Sequence, residues 1–244
     1  MRNFIKYFLI LLLLGSCVKL ALNRAGIVDK EVKINQLYNG TKNVLFIEMH
    51  HIGKKEFYKN VKTLTDSLQI NNFSIFYESI IVPEYLSQEE SKSLAKKHRK
   101  ITGNSGNLYL DTINNILLGK YKIPKKYKLI NQPSNEYLFD IDYAQNMDAQ
   151  LDSIILKFEK MFGNIELTEC DLQTELYEAS FDCETLSRKD RKMYIDSIVI
   201  GYRNSIITDA VFNSKNNKIA LFYGKAHFTG IKKLLEEQGY KEVE

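Results

Sequence analysis

The chain has 244 residues, of which 44% are hydrophobic and 26% are charged. This length and composition are typical of one globular domain with a buried core, and they exclude a disordered polymer, a collagen-like fibre and a polytopic membrane protein. Three cysteines are too few for a disulfide-built scaffold. A net charge of +4 does not indicate a nucleic-acid-binding protein.

The first residues have the pattern of a secretory signal. Arg2 and Lys6 precede an apolar run over 7–14, which is too short to span a bilayer. The small residues that follow end at Cys17, and the sequence Leu-Gly-Ser-Cys resembles the lipobox of bacterial lipoproteins, in which the cysteine becomes the lipidated first residue. An ordinary signal peptide with a chance cysteine is the alternative.

We therefore divide the chain into a signal peptide at 1–16, a lipidated Cys17 with its tether at 17–40, and an α/β domain at 41–244. The protein is expected to be exported and anchored by lipid to a bacterial membrane, on the periplasmic or outer-membrane side. Removal of the signal peptide takes away two basic residues and lowers the formal charge from +4 to +2. Cys170 and Cys183 then remain, and both a disulfide and a pair of buried thiols are open.

The predicted elements alternate between helices and short apolar strands. In chain order they are a strand at 44–47, a helix at 54–70, a strand at 73–77, helices at 84–101 and 107–119, a strand at 127–130, helices at 145–162 and 189–214, a strand at 219–223 and a helix at 230–238. The acidic segment 163–187 has no clear assignment. Alternating strands and helices predict one layered α/β domain, with a mixed, largely parallel central sheet flanked by helices.

Three of the predicted strands run directly into polar residues and glycines. These are Glu48, His50, His51 and Gly53 after the first strand, Glu78 after the second, and Gly224, His227 and Gly230 after the last. Ligands of open α/β sheets bind at the carboxyl ends of the strands. Parallel strands would bring His51, Glu78 and His227 to one edge, where they could bind a divalent metal or act as acid and base. The glycines are predicted to permit turns and close approach to a ligand.

The other histidines and the basic residues have simpler interpretations. His50 points away from His51 in an extended segment, and both a packing role and a functional role stay open. His98 lies among lysines and arginines and is predicted to be on a solvated helix face. The stretch 92–128 contains ten Lys and Arg residues against one Asp. We interpret it as a solvated face, with an acidic partner or phosphate as the alternative.

In its motifs the chain resembles the TraB/Tiki superfamily, which includes Tiki metalloproteases, erythromycin-esterase-like hydrolases and haem-binding lipoproteins of the ChaN type. Its second Gly-x-x-His motif matches Gly-Lys-Ala-His-Phe-Thr-Gly at 224–230, and the second half of the first motif matches His-Ile-Gly at 51–53. Glu78 resembles the strand-end glutamate of the family, and Arg203-Asn204 resembles its Arg-Asn pair. The resemblance covers about residues 43 to 241.

One position departs from the family pattern, because Glu48 stands where the first motif has glycine. This change either alters the local turn, since a non-glycine residue disfavours positive φ, or adds a carboxylate to the site.

The resemblance implies a membrane-anchored, metal-dependent hydrolase of the protease or peptidase kind, acting on a peptide or small molecule and not on nucleic acid. His51, Glu78 and His227 would hold Mn, Co or Zn, and the ion would lower the pKa of a bound water. Arg203 would stabilise a developing oxyanion, and Asn204 would orient the substrate. Two alternatives remain: a metal-free centre with a histidine base whose tautomer Glu78 sets, and a lipoprotein that binds haem or another ligand without catalysis.

Overall fold

The computed structural model describes residues 20–103, 109–118, 121–176 and 182–243. The predicted signal peptide at 1–16 and the predicted lipidation site Cys17 lie outside these ranges.

The centre of the fold is a six-stranded sheet with the order β11-β1-β2-β10-β4-β9. Its strands are β1 (Ile34–Tyr38), β2 (Asn43–Met49), β4 (Ser74–Tyr77), β9 (Ala144–Asn146), β10 (Lys218–Gly224) and β11 (Lys241–Val243). Strands β2, β10, β4 and β9 are parallel neighbours, whereas β1 runs antiparallel to both β2 and β11. The predicted mixed, largely parallel sheet is therefore confirmed.

Two small sheets and a set of helices complete the described part of the chain. The small sheets contain β3 (Ile52–Lys54) with β8 (Leu129–Asn131), and β5 (Leu110–Asp111) with β6 (Ile116–Leu117) and β7 (Tyr121–Lys122). The helices are α1 (Lys55–Ile70), α2 (Gln88–Thr102), α3 (Asn135–Leu138), α4 (Leu151–Phe162), α5 (Glu169–Gln173), α6 (Arg188–Tyr194), α7 (Arg203–Asn213) and α8 (Phe228–Glu236). Each of these helices is too short or too polar to span a bilayer.

The central sheet is covered on both faces, as the continuous apolar strands predict. One face packs against α7 and α8 through Phe46, Leu221, Ile207 and Ile231. The other face packs against α1 through Ile47, Ile75, Phe222 and Phe57. A third apolar cluster joins α2, α4 and the helix that begins at α6. This layering leaves the ends of the parallel strands as the open edges of the sheet.

The helix predicted at 189–214 is observed as one continuous helical stretch. It consists of α6, a π-helical segment at Ile195–Tyr202, and α7. π-Helical turns within α-helices occur frequently at functional sites. This one ends directly before Arg203, the first residue of α7.

The helix predicted at 107–119 is wrong in the described part of that range. Residues 110–117 contain β5 and β6, and Asn115 and Leu118 have φ angles of 56° and 50°. Positive φ is incompatible with a right-handed helix. The predicted strand at 127–130 also belongs elsewhere, because β8 pairs with β3 in a small sheet and not with the central sheet.

The domain begins earlier than the predicted boundary at residue 41. Residues 34–38, predicted as tether, form β1, and its Leu37 is completely buried against the central sheet. The helical segment at 20–24 also contributes, because Leu22 is only 4% exposed. A mostly polar stretch with isolated apolar residues gives no clear strand signal, since β1 lies near the sheet edge and buries one side only.

The unassigned acidic segment is held by a disulfide between Cys170 and Cys183. This decides between the two alternatives for these cysteines. The segment docks onto α2, because the Arg99 guanidinium donates to the carbonyl of Asp171 at 3.0 Å and Lys100 forms an ion pair with the Asp171 carboxylate at 2.5 Å. Part of the predicted basic face is therefore internal.

Candidate functional site

Glu78 and His227 meet at the carboxyl edge of the parallel strands. Glu78 directly follows β4, and its amide donates to the carbonyl of Phe222 in β10 at 3.1 Å. Its Oε2 accepts a hydrogen bond from the amide of Gly224 at 2.7 Å, and its Oε1 lies 3.5 Å from Nε2 of His227. A Cβ at residue 224 would lie 3.2 Å from the same carboxylate oxygen. Glycine there permits the close approach of the backbone to Glu78.

Arg203 lies between two buried carboxylates. It donates from one terminal nitrogen to Oε1 of Glu78 at 2.7 Å, and it binds Asp148 through Nε at 2.8 Å and a terminal nitrogen at 2.5 Å. The side chain of Arg203 is 5% exposed and that of Asp148 is fully buried. We call these three residues together with His227 the Arg203 cluster. It contains one guanidinium against two carboxylates.

The Arg203 cluster keeps Glu78 charged. Burial alone would raise the pKa of Glu78, but the contact with His227 and the positive charge of Arg203 hold it well below its ordinary value. Glu78 is therefore an anion at any physiological pH. Burial lowers the pKa of Arg203, yet its bonds to Asp148 and Glu78 more than compensate and raise it. The ion pairs in this cluster are mutually dependent.

Asn204 fixes the imidazole of His227. Its Oδ1 lies 2.6 Å from Nδ1 of His227, and its Nδ2 faces the His227 carbonyl at 3.4 Å. Because the amide nitrogen is directed to a carbonyl, the amide oxygen accepts from Nδ1–H, and the lone pair of a neutral imidazole is on Nε2. The tautomer is thus set by Asn204 and not by Glu78, contrary to the metal-free expectation.

Gly230 makes room for this contact. A Cβ at this position would lie 2.1 Å from Nδ2 of Asn204, too close for both to stay in place. We expect Gly230→Ala to displace the Asn204 amide, release His227 from its fixed orientation and destabilise the fold by about 1–3 kcal/mol through overpacking. Urea unfolding measures the loss of stability. Gly163→Ala is not a suitable control, because Gly163 has a φ of +92° and alanine would be strained there. The control is Thr229→Ala, at the exposed neighbouring position of α8. An equal loss in both variants would contradict this explanation.

His51 lies at the exposed rim beside the Arg203 cluster. Its ring stacks on Tyr109 with a centroid separation of 4.4 Å and an angle of 3° between the planes. Desolvation by neighbouring protein lowers the pKa of His51, while the charge of Glu78 raises it and the charge of Arg203 lowers it further. The structure thus places His51 within electrostatic range of the cluster, in contact with Tyr109.

The other residues predicted around His51 have structural roles. His50 packs against Phe57 at a ring separation of 4.9 Å, and it lies beside Gly26. This favours the packing role for His50. Gly53 lies against the ring of Tyr58, 3.3 Å from its hydroxyl, and so makes room for that side chain rather than for a ligand.

Glu48 extends β2 and does not join Glu78. Its position pairs with Tyr223 in regular parallel register, so the glycine of the family pattern is not needed for the backbone here. Its carboxylate accepts from Asn35 at 3.3 Å and lies 3.6 Å from the ammonium of Lys225. The predicted alternative of an altered turn is not observed, and the carboxylate is directed toward β1 and Lys225.

Asp148 and His98 are the residues that sequence reasoning missed. Asp148 follows β9, which was predicted as the start of a helix, so its position after a strand was not recognised. His98 was predicted to be solvated, but it is half-buried on α2. Burial, and then the charge of Arg203, lowers its pKa to about 4. The surrounding lysines and arginines concealed the inward direction of His98.

The lowered pKa of His98 makes the fold acid-sensitive. Well above pH 6.5 the imidazole of His98 is neutral in both the folded and the unfolded chain. As the pH falls toward 4, the unfolded chain binds a proton that the folded chain excludes, and the free energy of unfolding decreases. The loss attributable to His98 is about 3 kcal/mol at most. We expect His98→Gln to be less sensitive than the wild type when unfolding free energies are compared at pH 7 and pH 4.5. An equal decrease of the unfolding free energy in the two proteins would contradict the burial of His98. His50 and His51 are present in both proteins, so they do not contribute to the difference.

The predicted metal ligands do not fit a cation in this arrangement. Within the described ranges, no group of three or more His, Cys, Asp and Glu side chains is arranged to hold a metal ion. The Glu78 oxygen that faces His227 already accepts from the Arg203 guanidinium, and a second positive charge there would be repelled. The metal site of His51, Glu78 and His227 stays a prediction.

Comparisons with known proteins identify no relative of this chain. Protein-family models, curated proteins and solved structures were all searched, and none of them matches this chain.

Proposed function

We propose that the chain is a hydrolase of the TraB/Tiki type whose acid–base centre is His227 with Glu78. One observation carries this proposal: His227 presents Nε2 to a buried, ionised carboxylate at 3.5 Å while its Nδ1 is held by Asn204. The pair lies at the carboxyl edge of parallel strands, where α/β folds bind their ligands. A histidine oriented in this way is suited to proton transfer.

The chemistry assigned to the chain is general-base hydrolysis. Nε2 of His227 accepts a proton from water as the water attacks an acyl or related centre, and the imidazolium that forms faces the Glu78 carboxylate. Because that carboxylate is already charged and fixed, it stabilises the imidazolium without reorganisation. The same proton then passes to the leaving group. This is the metal-free form of the predicted activity.

Arg203 is assigned a positioning role. Its guanidinium has two carboxylate partners, and this geometry supports the orientation of Glu78 rather than contact with an oxyanion. His51 stands at the exposed rim, where it can contact the substrate. The substrate class that these groups support is a peptide or small molecule with a hydrolysable bond.

Export and lipid anchoring form part of the proposal. The support consists of the signal-like sequence before Cys17 and the disulfide between Cys170 and Cys183, because disulfides persist in oxidising compartments. Mass spectrometry of the mature chain tests it: a diacylglycerol and an acyl chain on Cys17 are expected, and an unmodified amino terminus elsewhere would contradict anchoring.

The catalytic proposal is tested with a panel of model esters, amides and peptides, before and after treatment with a chelator. Hydrolysis that needs His227 and survives chelation supports the metal-free centre. Hydrolysis that is lost on chelation and restored by Mn, Co or Zn, with metal retained near one per chain, supports the metal-dependent form. Hydrolysis that is unchanged in His227→Gln contradicts both.

Ligand binding without catalysis is the second candidate, and the exposure of His51 favours it. His51 stacks flat on Tyr109 at the rim, and it is the residue that would hold haem iron through a ring nitrogen. A Soret band on haem titration that disappears in His51→Ala would support this candidate. No spectral change would exclude haem as the ligand.

A further inference from the structure

We propose that the exposed side chains of the small β5–β7 unit and of the turn at 125–128 that follows it dock onto anionic lipid headgroups of the membrane that holds the N-terminus. The docking surface consists of Ile113, Tyr121, Lys122, Lys125, Lys126 and Lys128 and is called the 113–128 surface below. The inference rests on the proposed lipid anchor at Cys17, and it is independent of the proposed hydrolysis.

The distance along the chain brings this unit close to the membrane. Leu20, the first described residue, is three residues from Cys17, so at most about 10 Å separate it from the lipid attachment site. Two residues further on, Leu22 is buried in one apolar cluster with Leu110 and Ile123. The anchored end of the chain is therefore packed directly against the unit that carries the 113–128 surface.

The unit is a rigid support and not a free arm. The amide of Leu110 donates to Oδ1 of Asn131 at 2.9 Å, and Nδ2 of Asn131 donates back to the Leu110 carbonyl at 2.7 Å. The amide of Ile123 donates to the carbonyl of Asn115 at 2.8 Å. The two bonds of Leu110 join β5 to β8, and the Ile123 bond closes the unit on itself, so docking of the surface orients the domain.

The charge of this surface complements an anionic bilayer. No acidic residue occurs over 112–135, whereas five lysines lie between 120 and 128. The four lysines of the 113–128 surface are all exposed. Each lysine near an anionic membrane raises the partition coefficient by about tenfold or less. The contributions of several lysines to the binding free energy add.

Exposed apolar groups accompany the lysines, as they do at membrane interfaces. Ile113 is 82% exposed and Tyr121 is 62% exposed. A tyrosine beside lysines is typical of the interfacial zone, where its ring lies at the headgroup level. A solvated basic face needs no such groups, whereas a bilayer surface accommodates both kinds. This combination favours an anionic bilayer over free phosphate, and the vesicle experiments below test it against an acidic protein.

Docking would also set the position of the candidate site. Tyr109, which stacks on His51, packs against the same apolar cluster as Leu22 and Ile123. The rim of the site is thus built on the unit that faces the membrane. Anchor, docking surface and rim form one continuous part of the molecule.

The experiment uses the mature chain, residues 17–244, with Cys17→Ser so that no lipid is attached. The sequence contains no tryptophan, so Tyr121→Trp is a single fluorescent reporter within the surface. We expect its emission to shift to the blue on addition of phosphatidylglycerol vesicles and to be quenched by brominated phosphatidylglycerol. Tyr143→Trp, at a site that is 73% exposed outside the surface, is expected to show neither effect.

Charge variants test the surface itself. We expect Lys125→Gln with Lys126→Gln to lower the vesicle partition coefficient about 30-fold, from about 1 kcal/mol for each lysine. The matched control is Lys189→Gln with Lys215→Gln, two exposed lysines elsewhere, and it is expected to change binding less than threefold. Three results would each overturn the proposal. They are an equal decrease of the partition coefficient in the two double variants, equal quenching of the two tryptophan reporters, and equal binding to phosphatidylglycerol and phosphatidylcholine vesicles. None of these measurements depends on hydrolysis or on lipidation of Cys17. A failure of the proposed function is therefore distinguishable from a failure of the docking proposal.

Discussion

Arg203→Met is expected to lower the free energy of unfolding by about 3–5 kcal/mol. The guanidinium is 5% exposed and is the cationic partner of both Glu78 and Asp148. Without it, two carboxylates are left close together in a buried environment, and at least one must take up a proton or draw in water. The loss arises from uncompensated charge and not from the missing volume, because methionine fills most of the space.

Urea unfolding at pH 7 measures this loss, and two further proteins identify its cause. Adding Asp148→Asn to Arg203→Met removes the carboxylate that is fully buried, so the double variant is expected to be more stable than Arg203→Met alone. Arg188→Met, at an exposed position, is the matched control and is expected to stay within about 0.5 kcal/mol of the wild type. A loss below 1 kcal/mol for Arg203→Met would mean that the two carboxylates do not depend on Arg203.

His227→Gln is expected to lower the rate of the proposed hydrolysis about 10²–10⁴-fold, the range in which a positioned general base contributes. Glutamine retains a polar side chain near Asn204, but it has no basic nitrogen to accept a proton from water. The decrease is expected in kcat, with a small change in KM, because the base acts on the reacting water and not on substrate binding. Kinetics with any substrate that the panel identifies measure both parameters.

The matched control for this prediction is His50→Gln. His50 directly follows β2 but packs against Phe57. This variant is expected to leave kcat within about threefold of the wild type. Similar losses of kcat in His50→Gln and His227→Gln would contradict the assignment of the base. A folded His227→Gln with unchanged kcat would do so too.

Much of the fold is readable from local patterns. The runs 44–47 and 219–223 are apolar at every position, so only a strand covered on both faces accommodates them. The helix at Lys55–Ile70 was predicted within one residue because its apolar positions repeat with helical spacing. By contrast, β1 and the β5–β7 unit were missed, since short strands with few buried residues have no periodicity to recognise.

The candidate site, like the fold, was predictable from the sequence only in part. Glu78, His227 and Gly224 were predicted because each follows a strongly apolar strand, and parallel strands must end at a common edge. The role of Gly230 needed the structure, because it depends on an Asn204 side chain that approaches from another helix. Glu48 was predicted either to alter the local turn or to add a carboxylate to the site, and only the structure directs it toward Asn35 and Lys225.

The sequence alone therefore determined which strands are buried and which polar residues stand at their ends, because burial and strand direction leave a local pattern of residues. Only the tertiary structure decided the electrostatics of the site. Arg203 reaches Asp148 across 55 positions and Glu78 across 125 positions of the chain. Ion pairs formed over such separations leave no periodicity or spacing in the sequence, since their partners are brought together by the packing of α7 against the sheet.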